Sequence, residues 1–338
     1  MSWTSIFKSK QKGKPDPRIR WFGKLPTYPD YYSSHADEAW AVEFNEWVLK
    51  GFELYQSRLA GSARTAGRLP VTGCIIRLPK SEMTVLASVL DFGGDMRGRP
   101  FPLCFYVGVP SALWPGPTHT QVAAAIRAVR DLEALRREVA RFLNSPGRFE
   151  MAFGDREIDL SSIEDGHADD SWLAAAKSVS LDVWFAGAND RLKTKDQQQW
   201  LRGVNAWGDH LLKLDGKSFE PTLRFPLAGG VPLDVQVAGW IRWLEPRMSL
   251  SGRSLSLIVC GNLDEEAGDL TVVARAIVPD DFLLLTQKAS TLPYLDDLSR
   301  TDTIAGEAQA PAEGSPAAGA PVSGATWVDF VQAGPTPS

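Results

Sequence analysis

Residues 20–30 read RWFGKLPTYPD, and a segment striped with aromatic residues follows them. Trp21 and Phe22 are apolar anchors, Gly23 relaxes the backbone, and each of the two prolines fixes a φ angle and removes a hydrogen-bond donor. None of these residue types suits catalysis. The stretch therefore predicts a defined loop held against a core, and it favours a recognition protein over an enzyme.

The segment behind this stretch, residues 36–59, has the spacing of an amphipathic helix. Its apolar face carries Trp40, Phe44, Trp47, Val48, Phe52 and Tyr55. Large apolar side chains contribute about 1.5–3 kcal/mol each when fully buried, so this stripe supplies gross burial on the order of 10 kcal/mol. The pattern predicts a core helix and does not indicate a cofactor site.

Helix and strand patterns alternate through the rest of the chain and predict a mixed α/β (α+β) fold. Strands are expected at 71–78, 83–91, 101–109, 179–185, 223–227, 254–260 and 270–278. Helices are expected at 120–143, 171–177, 195–214, 231–244 and 280–287. We divide the chain into a basic flexible arm (1–19), an N-terminal domain (20–150), a further α/β part (151–297) and a disordered tail (298–338).

The tail changes composition sharply, because residues 305–325 consist largely of Ala, Gly and Pro. Such a composition buries too little apolar surface to offset chain entropy. Near its end, residues 326–331 read TWVDFV. Trp327 and Phe330 could make this segment a docking peptide that adds a strand to a partner or to its own sheet edge. A passive tail is the alternative.

Composition excludes several classes of protein. The 338 residues carry a net charge of −5, which gives no reason to expect a nucleic-acid partner. No apolar run reaches the ~18 residues of a membrane span, and no signal peptide is recognisable. The three cysteines lie in separate apolar runs and are expected as buried hydrophobes in a reducing compartment. A cytoplasmic location is therefore expected.

Catalytic and metal-binding patterns are missing from the sequence. The four histidines share no metal-ligand spacing, and no HExxH, CxxC or GxSxG pattern occurs. The glycine-rich turn at 93–98 lacks the ending of a P-loop and precedes a strand, so a hairpin turn exposing Arg97 and Arg99 is expected instead. We expect a protein that is not an enzyme and that has no metal or cofactor.

Two short motifs resemble a known family. The sequence FGKLP at 22–26, followed by Asp30 and Tyr31, is similar to the N-terminal signature of the TagF family (also called ImpM) of type VI secretion accessory proteins. The sequence GRPFPL at 98–103 resembles the family's later segment. Pro29 stands where the family usually has glycine. The resemblance covers about residues 20–145.

The resemblance implies a longin-like α/β sandwich in the N-terminal part. It also implies a cytoplasmic, non-enzymatic regulator that represses assembly of the type VI secretion machine after translation. The implied partner is a scaffold with a forkhead-associated domain or another secretion component, such as a baseplate protein.

On this basis we place the interaction surface on the 23–32 loop and the 95–99 turn. The candidate residues there are Lys24, Tyr28, Asp30, Tyr31, Arg97 and Arg99. The alternative function is a structural adaptor that docks into a larger assembly through Trp327 and Phe330.

Overall fold

The computed structural model describes part of the chain in detail. The described residues are 15–34, 37–60, 72–90, 94–114, 118–164, 171–188, 191–192, 196–214, 220–248, 250, 253–262, 267–286, 292, 294–299 and 325–332. The expected flexible arm up to residue 14 and the Ala/Gly/Pro-rich stretch at 300–324 lie outside them.

One sheet runs through the described residues. Its strands are β1 (Asp16–Lys24), β2 (Tyr31–Ser33), β3 (Thr72–Arg77), β4 (Met83–Leu90), β5 (Leu103–Pro110), β6 (Thr222–Leu227), β7 (Ser256–Asn262), β8 (Ala267–Val273) and β9 (Leu295–Asp297). They lie in the order β2-β1-β5-β4-β3-β7-β8-β6-β9. Neighbours pair antiparallel except β6 and β9, which are parallel. The mixed α/β fold expected from the sequence is confirmed.

Helices cover both faces of this sheet. They are α1 (Ala39–Ala60), α2 (His119–Val139), α3 (Pro146–Phe153), α4 (Ser161–Glu164), α5 (Ser171–Ser178), α6 (Leu181–Ala188), α7 (Gln197–Leu214), α8 (Leu233–Leu244) and α9 (Trp327–Gln332). Two 3₁₀ segments, Ser111–Leu113 and Pro279–Leu285, complete the described elements. Helix α1 packs with the second 3₁₀ segment on one face, while α2 and α8 pack together on the other.

Strand alternation produces the two cores, because successive side chains point to opposite faces. On the α2 face lie Trp21, Ile75 and Phe105. On the α1 face lie Phe22 and Tyr106, and Cys74 and Cys104 lie there too. Cys74, Cys104 and Cys260 are all buried free thiols, as the sequence predicts. Burial raises the pKa of the Cys74 thiol to about 12, so it acts as a small hydrophobe.

Helix α1 confirms the predicted core helix. Trp40, Phe44, Trp47, Val48 and Phe52 are all at most 9% exposed. The indole N–H of Trp47 donates a hydrogen bond to the carbonyl of Val278 at 2.9 Å. Gly51 allows the close packing, since a Cβ there would lie 2.2 Å from Cβ of Phe282. The helix therefore ties the N-terminal strands to the 3₁₀ segment near the end of the fold.

Strands β3 and β7 pair at the middle of the sheet, with Cys74 opposite Ile258. Strand β3 belongs to the expected N-terminal domain and β7 to the expected α/β part at 151–297. The two parts therefore share one continuous sheet and one hydrogen-bonded junction.

Two expectations about local structure are wrong. Residues 20–24 are not loop, because they form the end of β1, where residues 20–22 pair with β5 and residues 22–24 pair with β2. Asp16 to Ile19 belong to the same strand and therefore do not form part of the expected flexible arm. Residues 181–185 were expected in a strand but lie in α6. The hydroxyl of Ser180 caps the start of this helix by accepting a hydrogen bond from the Val183 amide at 3.2 Å. The helix expected at 120–143 ends as predicted, and the additional helix α3 begins soon after it, at Pro146. Its Pro146 fits the first turn, where no amide donor is needed.

Candidate partner-binding site

The two family-like motifs meet in space because β1 pairs with β5. Gly23 makes their approach possible. Its φ is +156°, and a Cβ at this position would lie 2.3 Å from the carbonyl oxygen of Pro102 and 2.6 Å from the Cα of Leu103. Only glycine fits such an approach without a shift of the backbone. The first motif is therefore packed directly on the second.

Asp95 is the centre of the contact. Its carboxylate lies 3.3 Å from Nζ of Lys24 and 2.7 Å from a guanidinium nitrogen of Arg99. It also accepts hydrogen bonds from the amides of Arg97 at 2.9 Å and Arg99 at 3.0 Å. A carboxylate with this many donors organises the whole 95–99 turn.

The pKa of Asp95 follows from these contacts. Burial alone would raise the pKa of its carboxyl group. The hydrogen bonds from Arg99, from the Arg97 amide and from Lys24 outweigh that effect and hold the pKa well below its usual range. The carboxylate therefore stays charged, and it keeps both cations in place.

Lys24 lies inside the fold. It is 4% exposed, and its ammonium group sits 4.9 Å from the centre of the Tyr31 ring. Tyr31 in turn packs on Phe22 and Phe101, with ring centres 5.5 Å and 4.9 Å away. The sequence analysis predicts that Lys24 contacts a partner. In the structure Lys24 is buried beneath the protein surface, where it pairs with Asp95. A direct contact with a partner would require the pair with Asp95 to open.

Arg99 joins the turn to the loop between β1 and β2. Its guanidinium group donates a hydrogen bond to the carbonyl of Pro29 at 2.6 Å. The side chain of Asp30 is exposed and accepts a hydrogen bond from the Tyr31 amide at 2.8 Å. The position with proline in place of the family's usual glycine therefore contributes its carbonyl to the same network.

The exposed part of residues 28–31 and 96–99 forms a single surface, which we call the motif surface. Met96 is 61% exposed, the Arg99 side chain is 46% exposed and Tyr31 is 38% exposed, while Arg97 is also exposed. Tyr28 is half-buried against Tyr32, with ring centres 5.2 Å apart. Five of the six predicted loop and turn residues thus lie at or beside this surface, and Lys24 lies beneath it.

Asp95 and Met96 lie within the predicted 95–99 turn but are not among the candidate residues named from the sequence. Asp95 carried a usable signal, since an aspartate followed by turn residues commonly caps the amides two and more positions ahead. Met96 carried none, because an exposed methionine has no pattern that separates it from a buried one. The basic residues beside them, Arg97 and Arg99, were found from the glycine-rich turn at 93–98.

Trp327 and Phe330 lie elsewhere, on the helical layer that contains α8. They are 0% and 4% exposed. The segment forms the short helix α9, which contacts α5, α6 and α8, and only Thr326 makes a bridge, to Ser180. The expectations of a passive tail or an added strand are wrong for this segment. As placed here, neither aromatic side chain is available to a partner.

Neither a metal-binding group of side chains nor a membrane-spanning helix is found in the described part of the chain. No group of three or more His, Cys, Asp and Glu side chains there could hold a metal ion. No described helix is long and apolar enough to cross a membrane.

Comparison with known proteins identifies the region that carries the motif surface. Residues 20–144 match the model of the TagF N-terminal domain, which is type VI secretion system-associated. The resemblance seen in the two motifs is thereby confirmed for this stretch. No curated protein matches the chain.

Among solved structures, the crystal structure of PA0076 from Pseudomonas aeruginosa PAO1 is similar, with 18% sequence identity and a TM-score of 0.29. The match covers 45% of this chain and 61% of that one. The chain thus spans less than two thirds of the length of that protein.

Proposed function

We propose that this chain, whose residues 20–144 form a type VI secretion-associated TagF N-terminal domain, regulates the secretion machine by binding another of its proteins. It would do so without catalysis, in the cytoplasm, and by repressing assembly after translation. The observation that carries the proposal is the meeting of both family-like motifs around Asp95. Residues far apart in sequence build one exposed surface there.

The chemistry of the motif surface suits protein recognition. Arginine and tyrosine are common among residues that dominate binding energy, and methionine is enriched in interfaces. Arg97, Arg99, Tyr31 and Met96 are the exposed examples here. The two guanidinium groups favour a partner that presents carboxylates or phosphates beside an apolar patch. A scaffold with a forkhead-associated domain is the partner that the family resemblance suggests.

The ion pairs of Asp95 beneath the motif surface favour tight binding of a partner. Because Asp95 holds Lys24 and Arg99, and Arg99 holds Pro29, the turn and the loop keep one geometry before a partner arrives. A rigid site loses less conformational entropy on binding than a mobile one. The ion pairs would thus act on binding indirectly, through the shape of the surface.

A matched pair of charge reversals tests the proposal. Arg97→Glu alters the motif surface, whereas Arg148→Glu alters an exposed arginine of α3, which packs on the α2 face of the sheet. The wild-type chain and both variants serve as bait in lysates of type VI-secreting cells, and captured proteins are identified by mass spectrometry. We expect the wild type and Arg148→Glu, but not Arg97→Glu, to retain a forkhead-associated scaffold or a baseplate component. Recovery of neither protein by the wild type would reject the proposal.

Whether the chain represses or supports type VI secretion requires a separate measurement. Overproduction of the wild-type chain should lower the amount of a type VI effector in the culture medium, while overproduction of Arg97→Glu should not. An unchanged or increased amount of secreted effector with the wild type would contradict repression even if the partner is captured.

The adaptor alternative places the binding residues in the tail. Trp327 and Phe330 are buried within the chain, so an adaptor role would first require α9 to separate from α5, α6 and α8. The double variant Trp327→Ala/Phe330→Ala separates the two functions in the same capture experiment. Loss of partner by this variant, with retention by Arg97→Glu, would favour the adaptor.

A further inference from the structure

Helix α9 occupies a groove walled by tryptophan rings. Trp327 stacks on Trp184, with ring centres 4.6 Å apart and an angle of 19° between the planes, and it meets Trp240 edge-on at 5.1 Å. Phe330 lies 5.9 Å from both Trp200 and Trp240. Aromatic pairs of this geometry add attraction beyond the area they bury. The groove is thus shaped for two aromatic side chains three residues apart on a helix.

The walls of the groove are held in place without help from α9. The indole N–H of Trp184 donates to Gln236 at 3.0 Å, and that of Trp240 donates to the carbonyl of Pro226 at 3.2 Å. Gln236 is fully buried and bonds to the backbone of Ala228 in both directions. The orientation of the rings is therefore set by the body of the fold.

Gly239 forms the part of the groove that receives the Trp327 ring. A Cβ at this position would lie 2.3 Å from Nε1 of Trp327. The atoms named are on two rigid groups, a helix backbone and an indole ring, so neither can move away cheaply. Glycine in the middle of α8 is otherwise unfavourable, because alanine stabilises a helix interior better. The absence of a side chain at Gly239 leaves room for the Trp327 ring.

Residues 325–332 form backbone hydrogen bonds with the body of the fold and also cap their own helix. The Trp327 amide donates to the carbonyl of Val179 at 2.8 Å, and the Leu181 amide donates to the carbonyl of Ala325 at 3.0 Å. Thr326 and Asp329 form a reciprocal cap, since the Thr326 amide donates to the Asp329 carboxylate at 2.8 Å and the Asp329 amide to the Thr326 hydroxyl at 3.2 Å. Residues 325–332 therefore have the features of a complete peptide ligand.

The chain leading to the segment is much longer than the docked position requires. The carbonyl of Leu298 accepts a hydrogen bond from the indole of Trp200 at 3.1 Å, and Phe330 contacts the same indole ring. Residues on both sides of the intervening stretch, Leu298 and Phe330, thus contact the same tryptophan. The 25 residues at 300–324 have a maximum reach of roughly 80 Å. That length reaches a groove on a second molecule as well as the groove of its own chain.

We propose that the groove is a peptide-binding site for the Ala325–Gln332 segment and that it accepts this segment from a second copy of the chain. Two copies that exchange segments form a dimer with the contacts already present in one copy, so no new interface is needed. Attachment to its own chain gives the segment a high effective concentration, which favours the monomer in dilute solution. Exchange is therefore favoured as the protein concentration rises.

Two complementary variants of the full chain test the exchange. Trp327→Ala/Phe330→Ala has an open groove and a segment that cannot bind. Gly239→Ala has an intact segment and a groove blocked by the added methyl group, while its α8 keeps a good helix former. Each variant alone should be a monomer by light scattering. An equimolar mixture should form a heterodimer, in which the segment of the Gly239→Ala chain fills the open groove of the other.

Two results would overturn the exchange. One is a mixture that stays monomeric although circular dichroism shows both variants folded. The other is a Gly239→Ala chain that dimerises alone, because its contact cannot then use the groove. If Trp327→Ala/Phe330→Ala does not fold, Thr326→Ala/Asp329→Ala replaces it. This pair removes the cap and leaves every groove residue unchanged, and the same two results are decisive.

Discussion

Nζ of Lys24 lies 3.3 Å from Oδ2 of Asp95, and this buried pair joins the end of β1 to the turn that precedes β5. Lys24 belongs to the first family-like motif, and Asp95 lies three residues before the second, so neither motif alone indicates the contact. The pair makes Lys24 part of the frame of the motif surface. Because Lys24 is buried and Arg97 is exposed, we expect substitutions at the two residues to affect stability differently.

Lys24→Ala is expected to lower the melting temperature by a few degrees, because Asp95 loses a charged donor in a site closed to water. Arg97→Ala should leave the melting temperature unchanged, since only the backbone amide of Arg97 contacts Asp95. Thermal unfolding followed by circular dichroism makes the comparison. Equal melting temperatures for Lys24→Ala and the wild type would show that the pair contributes little to stability.

Asp95→Asn is expected to change how stability depends on pH. The pKa of Asp95 is lower in the folded chain than its value of about 3.9 in the unfolded one. Its contribution is therefore fully present above about pH 4 and is lost as the pH falls toward the folded-state pKa. The variant should be less stable than the wild type at pH 7, and the difference should shrink below pH 4. Urea unfolding at both pH values measures this, and a constant difference would contradict it.

Gly23→Ala should be more destabilising than Gly98→Ala. Both glycines have positive φ angles, but nothing lies within 4 Å of a Cβ built at Gly98. Gly98→Ala is therefore expected to cost about 1 kcal/mol of backbone strain. Gly23→Ala adds a collision with the backbone of Pro102 and should cost about 1–3 kcal/mol more. Chemical denaturation of both variants measures the gap, and similar losses would show that β1 and β5 separate easily.

Arg20→Met is expected to cost about 3 kcal/mol of unfolding free energy, because Arg20 is fully buried and pairs with Asp16 at 2.8 Å and Glu38 at 3.2 Å. Burial alone would raise the pKa of Asp16, but the hydrogen bond from Arg18 and the charge of Arg20 hold it well below its usual range. Arg18→Ala is the control. Its side chain is 41% exposed, so its loss should cost less than about 1 kcal/mol.

The sequence pattern predicted the elements that carry strong periodicity. Helix α1 was found within a few residues from its aromatic stripe, and β3, β4 and β5 were found from their β-branched and aromatic content. In these segments the local preference and the tertiary environment agree. The buried faces that the pattern indicated are the faces that pack.

Failures occurred where packing outweighs local preference. Residues 181–185 alternate in a way that suits a strand, yet they form α6 because Trp184 and Leu181 are buried against the helical layer. Residues 20–24 resemble a loop because of Gly23, whose real role is a close approach visible only in three dimensions. The helix of the tail segment likewise depends on a groove built from distant residues. Six residues alone rarely hold a helix in water.

The pairing of β3 with β7 has a consequence for any work on isolated fragments. Residues 20–144 include β3 but not β7, so a fragment cut at residue 144 would leave the β7-facing edge of β3 without its partner. Residues 73–76 of β3 are apolar and buried, and bare edges of this kind recruit other strands and promote aggregation. We therefore expect the region matched by the family model to need strand β7, which that model does not cover, for its solubility.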